Sequence, residues 1–270
     1  MYKIFEKIRN KFNKFEYIPK VKNFNQANLF CQNKNSGVYE SELLCKYRFE
    51  KLDNYLKKNE NLFNPLAINM LLVCIAYFLK NNERKFPKII DFGGACGENI
   101  LFLETIFGND IFENSWIIET PGQVEESRNW KFAQKLNFSS DINTILKKNK
   151  IDIFFSSAAI NYLENPYDML SFVEKFRLPL ICLTRNNFSL KPKPFIQVSN
   201  LSENGFGEHL EKFGNPKVWY PSQTINEKKV KDIFLKNSYE LIIDKSIDDS
   251  GIINKKTSYS KDLLFKVIQQ

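Results

Sequence analysis

The chain is poor in several residues that often carry a specific chemistry. Its 270 residues include one histidine, His209, and five scattered cysteines with no CxxC pair. This odd cysteine set favours a reducing compartment and argues against a disulfide framework or a cysteine zinc site. No cluster of His, Asp and Glu has the spacing of a metal site, so we expect a mechanism that uses no metal.

Long apolar runs are also missing. The longest run, Leu66 to Leu79, is interrupted by Asn69. It is too short to cross a bilayer, so it predicts a buried helix. The amino terminus shows no signal-peptide pattern, and we therefore expect a cytoplasmic protein. With 43% hydrophobic and 26% charged residues, the composition is that of a globular chain.

The net charge of +8 is spread along the chain rather than concentrated in one patch. It is compatible with nucleic acid, an anionic membrane or an acidic or nucleotide-linked substrate. Residues 1–20 form a basic amphipathic pattern. Such a helix could hold the protein peripherally at the inner face of the membrane. The alternative is a helix that packs on the domain or on a second subunit of a homodimer.

The most informative motif runs from Lys88 to Glu98. It predicts a buried strand, a glycine-rich turn and the start of a helix, whose free N–H groups suit a carboxylate or phosphate. Glu119 closes the next apolar run, and its carboxylate could accept hydrogen bonds from both ribose hydroxyls. Together these features predict a nucleoside-cofactor pocket. The glycine spacing fits neither the dinucleotide fingerprint G-x-G-x-x-G nor a P-loop, which argues against NAD and ATP.

Strands and helices alternate from residue 88 onwards. Apolar strands separated by helices predict an α/β fold with a mainly parallel sheet covered on both faces. The last two strands have no helix between them and are expected to be antiparallel. Predicted strands cover 88–92, 115–119, 136–139, 151–157, 179–184, 239–244 and 262–268. Predicted helices include 40–58, 62–80 from an Asn64-Pro65 start, 122–135, and 224–237 from a capping box at Thr224.

The glycine turn resembles the first motif of class I S-adenosylmethionine-dependent methyltransferases. Asp91, Gly93 and Gly97 fit the acidic-x-G-x-G-x-G pattern of that family, and Ala95 replaces the middle glycine. Glu119 matches the acidic residue that holds the ribose of the cofactor. The resemblance implies S-adenosylmethionine as cofactor and a Rossmann-like sheet of seven strands, mostly parallel, with an antiparallel last strand.

The same resemblance implies further cofactor-binding residues. Gly94 belongs to the glycine turn, and Ser156 and Ser157 end the fourth strand, where the family lines the methionine end of the cofactor. Asp141 follows the third strand and is expected to contact the adenine amino group. A helix N-cap is the alternative role for Asp141. We expect residues 85–270 to form the methyltransferase domain and residues 1–84 to form a helical extension that covers the acceptor site.

A narrower resemblance covers most of the chain. The chain is similar to a group of methyltransferases found among bacterial surface-polysaccharide genes, those of capsule and O-antigen synthesis. It implies O-methylation of a sugar or a sugar-linked group, such as a phosphorylated or nucleotide-linked sugar. The residues that suggest it are Asp91-Phe92-Gly93-Gly94, Trp116 to Pro121, Ser156 to Pro166, Leu183-Thr184-Arg185 and Tyr220-Pro221.

The acceptor side of the reaction has fewer candidates. His209 is the candidate general base, since a hydroxyl acceptor benefits from one. It lies in a glycine-flanked segment expected to form an acceptor lid, although a lone histidine is also compatible with a structural role. Arg185, just past strand five, could bind an anionic acceptor, and Tyr162 is a second substrate-binding candidate.

Two other functions fit the sequence. The first is an RNA or DNA methyltransferase, which would use the positive charge and bind nucleic acid in a salt-dependent way. The Asn165-Pro166-Tyr167 tripeptide is similar to a motif of such enzymes, but it lies too far beyond the fourth strand and better fits a helix start. The second is a non-catalytic binding protein on the same fold. It would fail to bind the cofactor.

Overall fold

The structure is a computed structural model that describes residues 18–34, 41–58, 67–81, 86–247 and 258–268. Residues 1–17 of the amphipathic pattern predicted for residues 1–20 lie outside these ranges. The Asn64-Pro65 helix start and the polar loop between the last two strands also lie outside them.

A seven-stranded sheet forms the centre of the molecule, in the order β3-β2-β1-β4-β5-β9-β8. The five strands from β3 to β5 are parallel, whereas β9 runs antiparallel to both β5 and β8. The predicted fold class is therefore confirmed. The strands are β1 Ile89–Phe92, β2 Ser115–Ile118, β3 Asn137–Ser139, β4 Ile153–Ser157, β5 Leu180–Ser189, β6 Pro194–Asn200, β7 Lys217–Gln223, β8 Tyr239–Ile247 and β9 Ser258–Val267.

Helices cover both faces of the sheet because successive strand residues point to opposite sides. Ile89 belongs to one buried cluster and Ile90 to the other; Phe155 and Phe154 divide in the same way. The helices are α1 Phe24–Asn33, α2 Glu42–Lys58, α3 Ile68–Asn81, α4 Glu98–Phe107, α5 Asp110–Glu113, α6 Pro121–Ser127, α7 Ile142–Lys148, α8 Pro166–Glu174 and α9 Glu227–Leu235.

The candidate site lies at β1, where the order of the strands in the sheet reverses. Strand β1 pairs in parallel with β2 on one side and β4 on the other, so that Phe92 faces both Ile118 and Ser156. In open α/β sheets, ligands bind in the crevice outside the carboxyl ends of the strands at such a reversal. The glycine turn, Glu119 and the β4 serines all lie at this edge.

Four local expectations differ from the structure. Helix α9 is capped by Asn226, whose side chain accepts from Lys229 N, while the Thr224 hydroxyl instead accepts from Lys193 N. The helix predicted over 122–135 ends at Ser127, and a 3₁₀ turn follows. Strand β5 extends to Ser189 through a bulge, and β9 begins four residues earlier than expected, at Ser258.

The hairpin of β6 and β7 is a second, two-stranded sheet that the sequence reading missed. Helix α1 packs on it through a small buried cluster with Trp219. The hairpin and α1 stand beside the carboxyl edge of the main sheet. By contrast, α3 shares the main core with β1 and β4. The predicted domain boundary near residue 84 stays a prediction.

Candidate functional site

The glycine loop links β1 to α4 through three residues with left-handed backbone. Gly93, Ala95 and Gly97 have φ angles of +72°, +50° and +88°. Ala95 therefore occupies a conformation that favours glycine, which is where the resemblance expects the middle glycine. Gly97 N donates to Gly94 O and closes the turn just before α4.

Close packing explains two of these glycines independently of any ligand. A Cβ on Gly93 would lie 2.2 Å from Ala159 Cβ, and one on Gly97 would lie 2.6 Å from Leu136 Cδ1. The loop is thus pressed against the segment after β4 and against the residue before β3. Glycine at these positions lets the loop backbone approach the strand ends closely.

Glu119 ties the end of β2 to the glycine loop. Its Oε1 accepts from Ala95 N at 2.8 Å, and its Oε2 accepts from Thr120 N at 3.0 Å. Burial raises the pKa of Glu119, and the nearby Arg48 charge works against that rise. The structure therefore brings Glu119 to the loop with both oxygens oriented by backbone donors. Each oxygen keeps acceptor capacity for a further hydrogen bond.

Two more carboxylates lie beside the loop. Asp91 is buried and accepts from Asn99 Nδ2 at 3.0 Å, while Glu98 accepts from Cys96 N at 3.0 Å. Burial raises the pKa of Asp91 to about 7 and that of Glu98 to about 7. A cationic ligand would be favoured here, because it would stabilise the ionised form of these groups.

We expect the free energy of unfolding to decrease as the pH rises from about 5.5 to 8. Folding raises the pKa of Asp91 from 3.8 to about 7, so the folded chain binds a proton more tightly than the unfolded chain. The unfolding free energy then drops by about 2 kcal/mol for Asp91 across this range, and Glu98, whose pKa folding also raises to about 7, adds a drop of similar size. Urea unfolding should show the drop in the wild type and a smaller one in Asp91→Asn. Asp141→Asn is the control, because the pKa of exposed Asp141 lies below this range.

Several buried oxygens around the loop have no hydrogen-bond partner in the described part of the chain. They include the hydroxyls of Ser156 and Ser157 at the end of β4. Buried polar atoms are normally paired, so unpaired ones that gather at one crevice indicate a place for ligand atoms. The others at this edge are Thr120 Oγ1 and Gln123 Oε1.

Asp141 caps α7. Its side chain accepts from Thr144 N at 3.1 Å, and these hydrogen bonds lower its pKa. The N-cap alternative is therefore what the structure contains. The residue is exposed, at the carboxyl end of β3, and its contact with an adenine amino group stays a prediction.

Arg48 on α2 is the site residue that sequence reasoning missed. It is only 8% exposed, and its Cγ lies 3.0 Å from the place of a Cβ on Gly205. Its charge lowers the pKa of both Glu119 and Glu98. No signal in the sequence singles out Arg48, because its neighbours in the predicted helix are a mixture of apolar and charged residues.

Arg185 and Tyr162 face different surroundings from those expected. Arg185 lies within β5, not after it, at a bulge where its φ is +58°. Tyr162 donates to Gln197 Oε1 at 2.9 Å and packs edge-on against Tyr220. Tyr162 therefore joins the segment after β4 to the β6–β7 hairpin. The substrate-binding roles of both residues stay predictions.

His209 lies beside α2. Its Nδ1 is 2.9 Å from the hydroxyl of Tyr47, and Tyr47 precedes Arg48 on the helix. The structure does not bring His209 together with Glu119 or the β4 serines through any contact of the described residues. Its role as general base stays a prediction.

The segment that carries His209 is fastened to α2. Lys51 is buried, and its Nζ donates to the carbonyls of Ser202, Asn204 and Gly205 at 2.9, 3.0 and 3.2 Å. Three carbonyl acceptors compensate for a buried ammonium group, whose pKa burial lowers. Helix α2 is thereby held between the glycine loop and the hairpin, so it covers the carboxyl edge.

Within the described residues, no three His, Cys, Asp or Glu side chains gather as a metal site would require. None of the helices in those ranges has the length and apolar character to span a membrane.

Comparisons with known proteins find similarity in structure only. No family model matches the chain, and no curated protein matches its sequence. A S-adenosylmethionine-dependent methyltransferase from Clostridium acetobutylicum is 13% identical, with a TM-score of 0.48, over 80% of this chain and 96% of that one. Magnesium protoporphyrin IX methyltransferase from Synechocystis, with bound SAH, is 11% identical, with a TM-score of 0.45, over 82% and 96%. The inference about function is therefore drawn from the site itself.

Proposed function

We propose that the protein is an S-adenosylmethionine-dependent methyltransferase. The observation that carries this proposal is Glu119, which is fixed by Ala95 N and Thr120 N at the reversal point of the sheet. A carboxylate held there, beside a left-handed glycine loop, suits the two hydroxyls of a ribose. The strand order supports the proposal, because it places the loop, Glu119 and the β4 serines on one edge.

The residues around the loop fit the parts of this cofactor. Glu119 would accept from the ribose hydroxyls, and Asp91 and Glu98 would favour its positive charge. The unpaired hydroxyls of Ser156 and Ser157 would bind polar atoms of the amino-acid end, with Gly93, Gly94 and Gly97 shaping the loop. When bound, the cofactor supplies an electrophilic methyl group on a sulfonium. The protein then has to align an acceptor lone pair with it.

We infer that the acceptor is a small hydroxylated molecule, such as a sugar or a nucleotide-linked sugar. Hydrogen-bonding groups continue from β4 across the sheet: Ser157 is opposite Thr184 in register, and the Thr184 hydroxyl donates to Asp262 of β9. Ser260 adds a buried hydroxyl with no partner among the described residues. Helix α2 also covers the edge, which suits a small acceptor better than a duplex. The proposed setting is surface-polysaccharide synthesis.

A labelling experiment tests the acceptor class. The protein is incubated with methyl-labelled S-adenosylmethionine and, separately, with a set of nucleotide-linked sugars or with total RNA. We expect label in the sugar fraction and none in RNA. Label in RNA, or in neither fraction, would contradict a sugar acceptor. A parallel incubation with the Glu119→Ala variant controls for transfer by contaminating enzymes.

A further inference from the structure

Arg48 belongs to a helix outside the predicted methyltransferase domain, yet its charge reaches the candidate cofactor site. It acts on Glu119 at the end of β2 and on Tyr220 of the hairpin. Tyr220 packs against Tyr162, which follows β4. The Arg48 charge therefore reaches groups on both sides of β1, which lies between β2 and β4 in the sheet.

The charges at this edge are unequal. Asp91, Glu98 and Glu119 supply three carboxyl groups, and Arg48 is the buried cation that acts on two of them. The cofactor of the proposed function is itself mixed in charge, with an ammonium, a sulfonium and one carboxylate. Carboxyl groups of the loop suit its cationic centres, but a ligand carboxylate placed among them would be repelled without a cation.

We propose that Arg48 binds the carboxylate of the amino-acid end of the cofactor and so makes tight binding depend on that end. This inference rests on the proposed function. A guanidinium presents paired donors that match a carboxylate, and this one is 8% exposed. Its stem packs close to Gly205, and Lys51 on the next turn fastens α2 to the same segment.

The binding would rearrange charges that already exist in the free protein. Without cofactor, Arg48 stabilises the ionised forms of Glu98 and Glu119. With cofactor bound, Glu119 would accept from the ribose hydroxyls and Arg48 would pair with the carboxylate. Helix α2 and the segment fastened to it would form one wall of the acceptor site.

Titration calorimetry with two ligands tests this assignment. S-Adenosylhomocysteine carries the amino-acid end, whereas 5′-methylthioadenosine shares the nucleoside and thioether but lacks the carboxylate. At about pH 8 Asp91 and Glu98 of the wild type are largely ionised, since burial raises the pKa of each to about 7. We expect Arg48→Met to weaken S-adenosylhomocysteine binding about tenfold to hundredfold. The fold-loss of affinity for methylthioadenosine should be at least about tenfold smaller. Arg48→Lys should give an intermediate, equally selective loss.

The controls separate the possible failures. Arg128→Met changes an exposed arginine that pairs with Glu125, and it should leave both affinities unchanged. Equal losses for the two ligands, or no loss for either, would overturn the role of Arg48. If the wild type binds neither ligand, the proposed function fails instead. Far-UV circular dichroism and thermal melting check that each variant is folded. If Arg48→Met is unfolded, the comparison of the two ligands is made with Arg48→Lys.

Discussion

The Glu119→Ala variant should bind S-adenosylhomocysteine at least about 100-fold more weakly than the wild type. The substitution removes two acceptors for the ribose hydroxyls, and each hydrogen bond to a charged group contributes about 1.5–3 kcal/mol. It also removes the acceptor that holds Ala95 N and Thr120 N, which adds to the loss. Isothermal titration calorimetry of both proteins in the same buffer measures the ratio.

A matched control is available on the next helix. Glu125 lies on α6, its side chain is 73% exposed, and it pairs with Arg128 on the surface. Glu125→Ala removes the same chemical group without touching the loop, and its affinity should equal that of the wild type. Undiminished affinity in Glu119→Ala would show that this carboxylate does not hold the cofactor.

The Gly93→Ala variant should lose about 2–5 kcal/mol of stability. Alanine at a φ of +72° costs about 1–2 kcal/mol, and a Cβ at 2.2 Å from Ala159 Cβ adds an overpacking cost of about 1–3 kcal/mol. Gly108 reports a backbone cost without a clash, since no atom lies within 4 Å of an added Cβ. Its φ of +77° and ψ of −171° are almost restricted to glycine, so Gly108→Ala should lose about 1–3 kcal/mol.

Urea unfolding of both variants measures these losses. The double variant Gly93→Ala with Ala159→Gly removes the clash and keeps the left-handed strain, so it should unfold at higher urea than Gly93→Ala alone. A double variant no more stable than Gly93→Ala would mean that the loop is not pressed against the segment after β4.

The parts of the site that the sequence predicted are those encoded locally. The strand, turn and helix start around Gly93 are encoded by an apolar run and by glycines that lie within eleven residues of sequence. Glu119 follows from the same logic, because a carboxylate that ends the neighbouring parallel strand must reach the same edge. The mainly parallel sheet also follows from local signals, since continuously apolar strands separated by helices favour it.

The missed parts depend on contacts between residues far apart in sequence. The charge of Arg48 reaches Glu119 only because α2 packs across the sheet edge, and nothing within α2 encodes that position. The β6–β7 hairpin begins beside Pro192 and Pro194, which read as loop residues, and its pairing with residues 217–223 is fixed by α1 and the cluster around Trp219. Arg185 was placed too late because a bulge extends β5 beyond its apolar part.

We propose that the edge formed by the glycine loop and Glu119 binds S-adenosylmethionine. Calorimetric titration of the folded wild-type protein with S-adenosylhomocysteine, the demethylated product, tests this binding without any acceptor. We expect binding at one site with a micromolar dissociation constant. A protein that is folded by circular dichroism and melts cooperatively, yet releases or absorbs no heat of binding and shows no thermal shift with millimolar ligand, would contradict it.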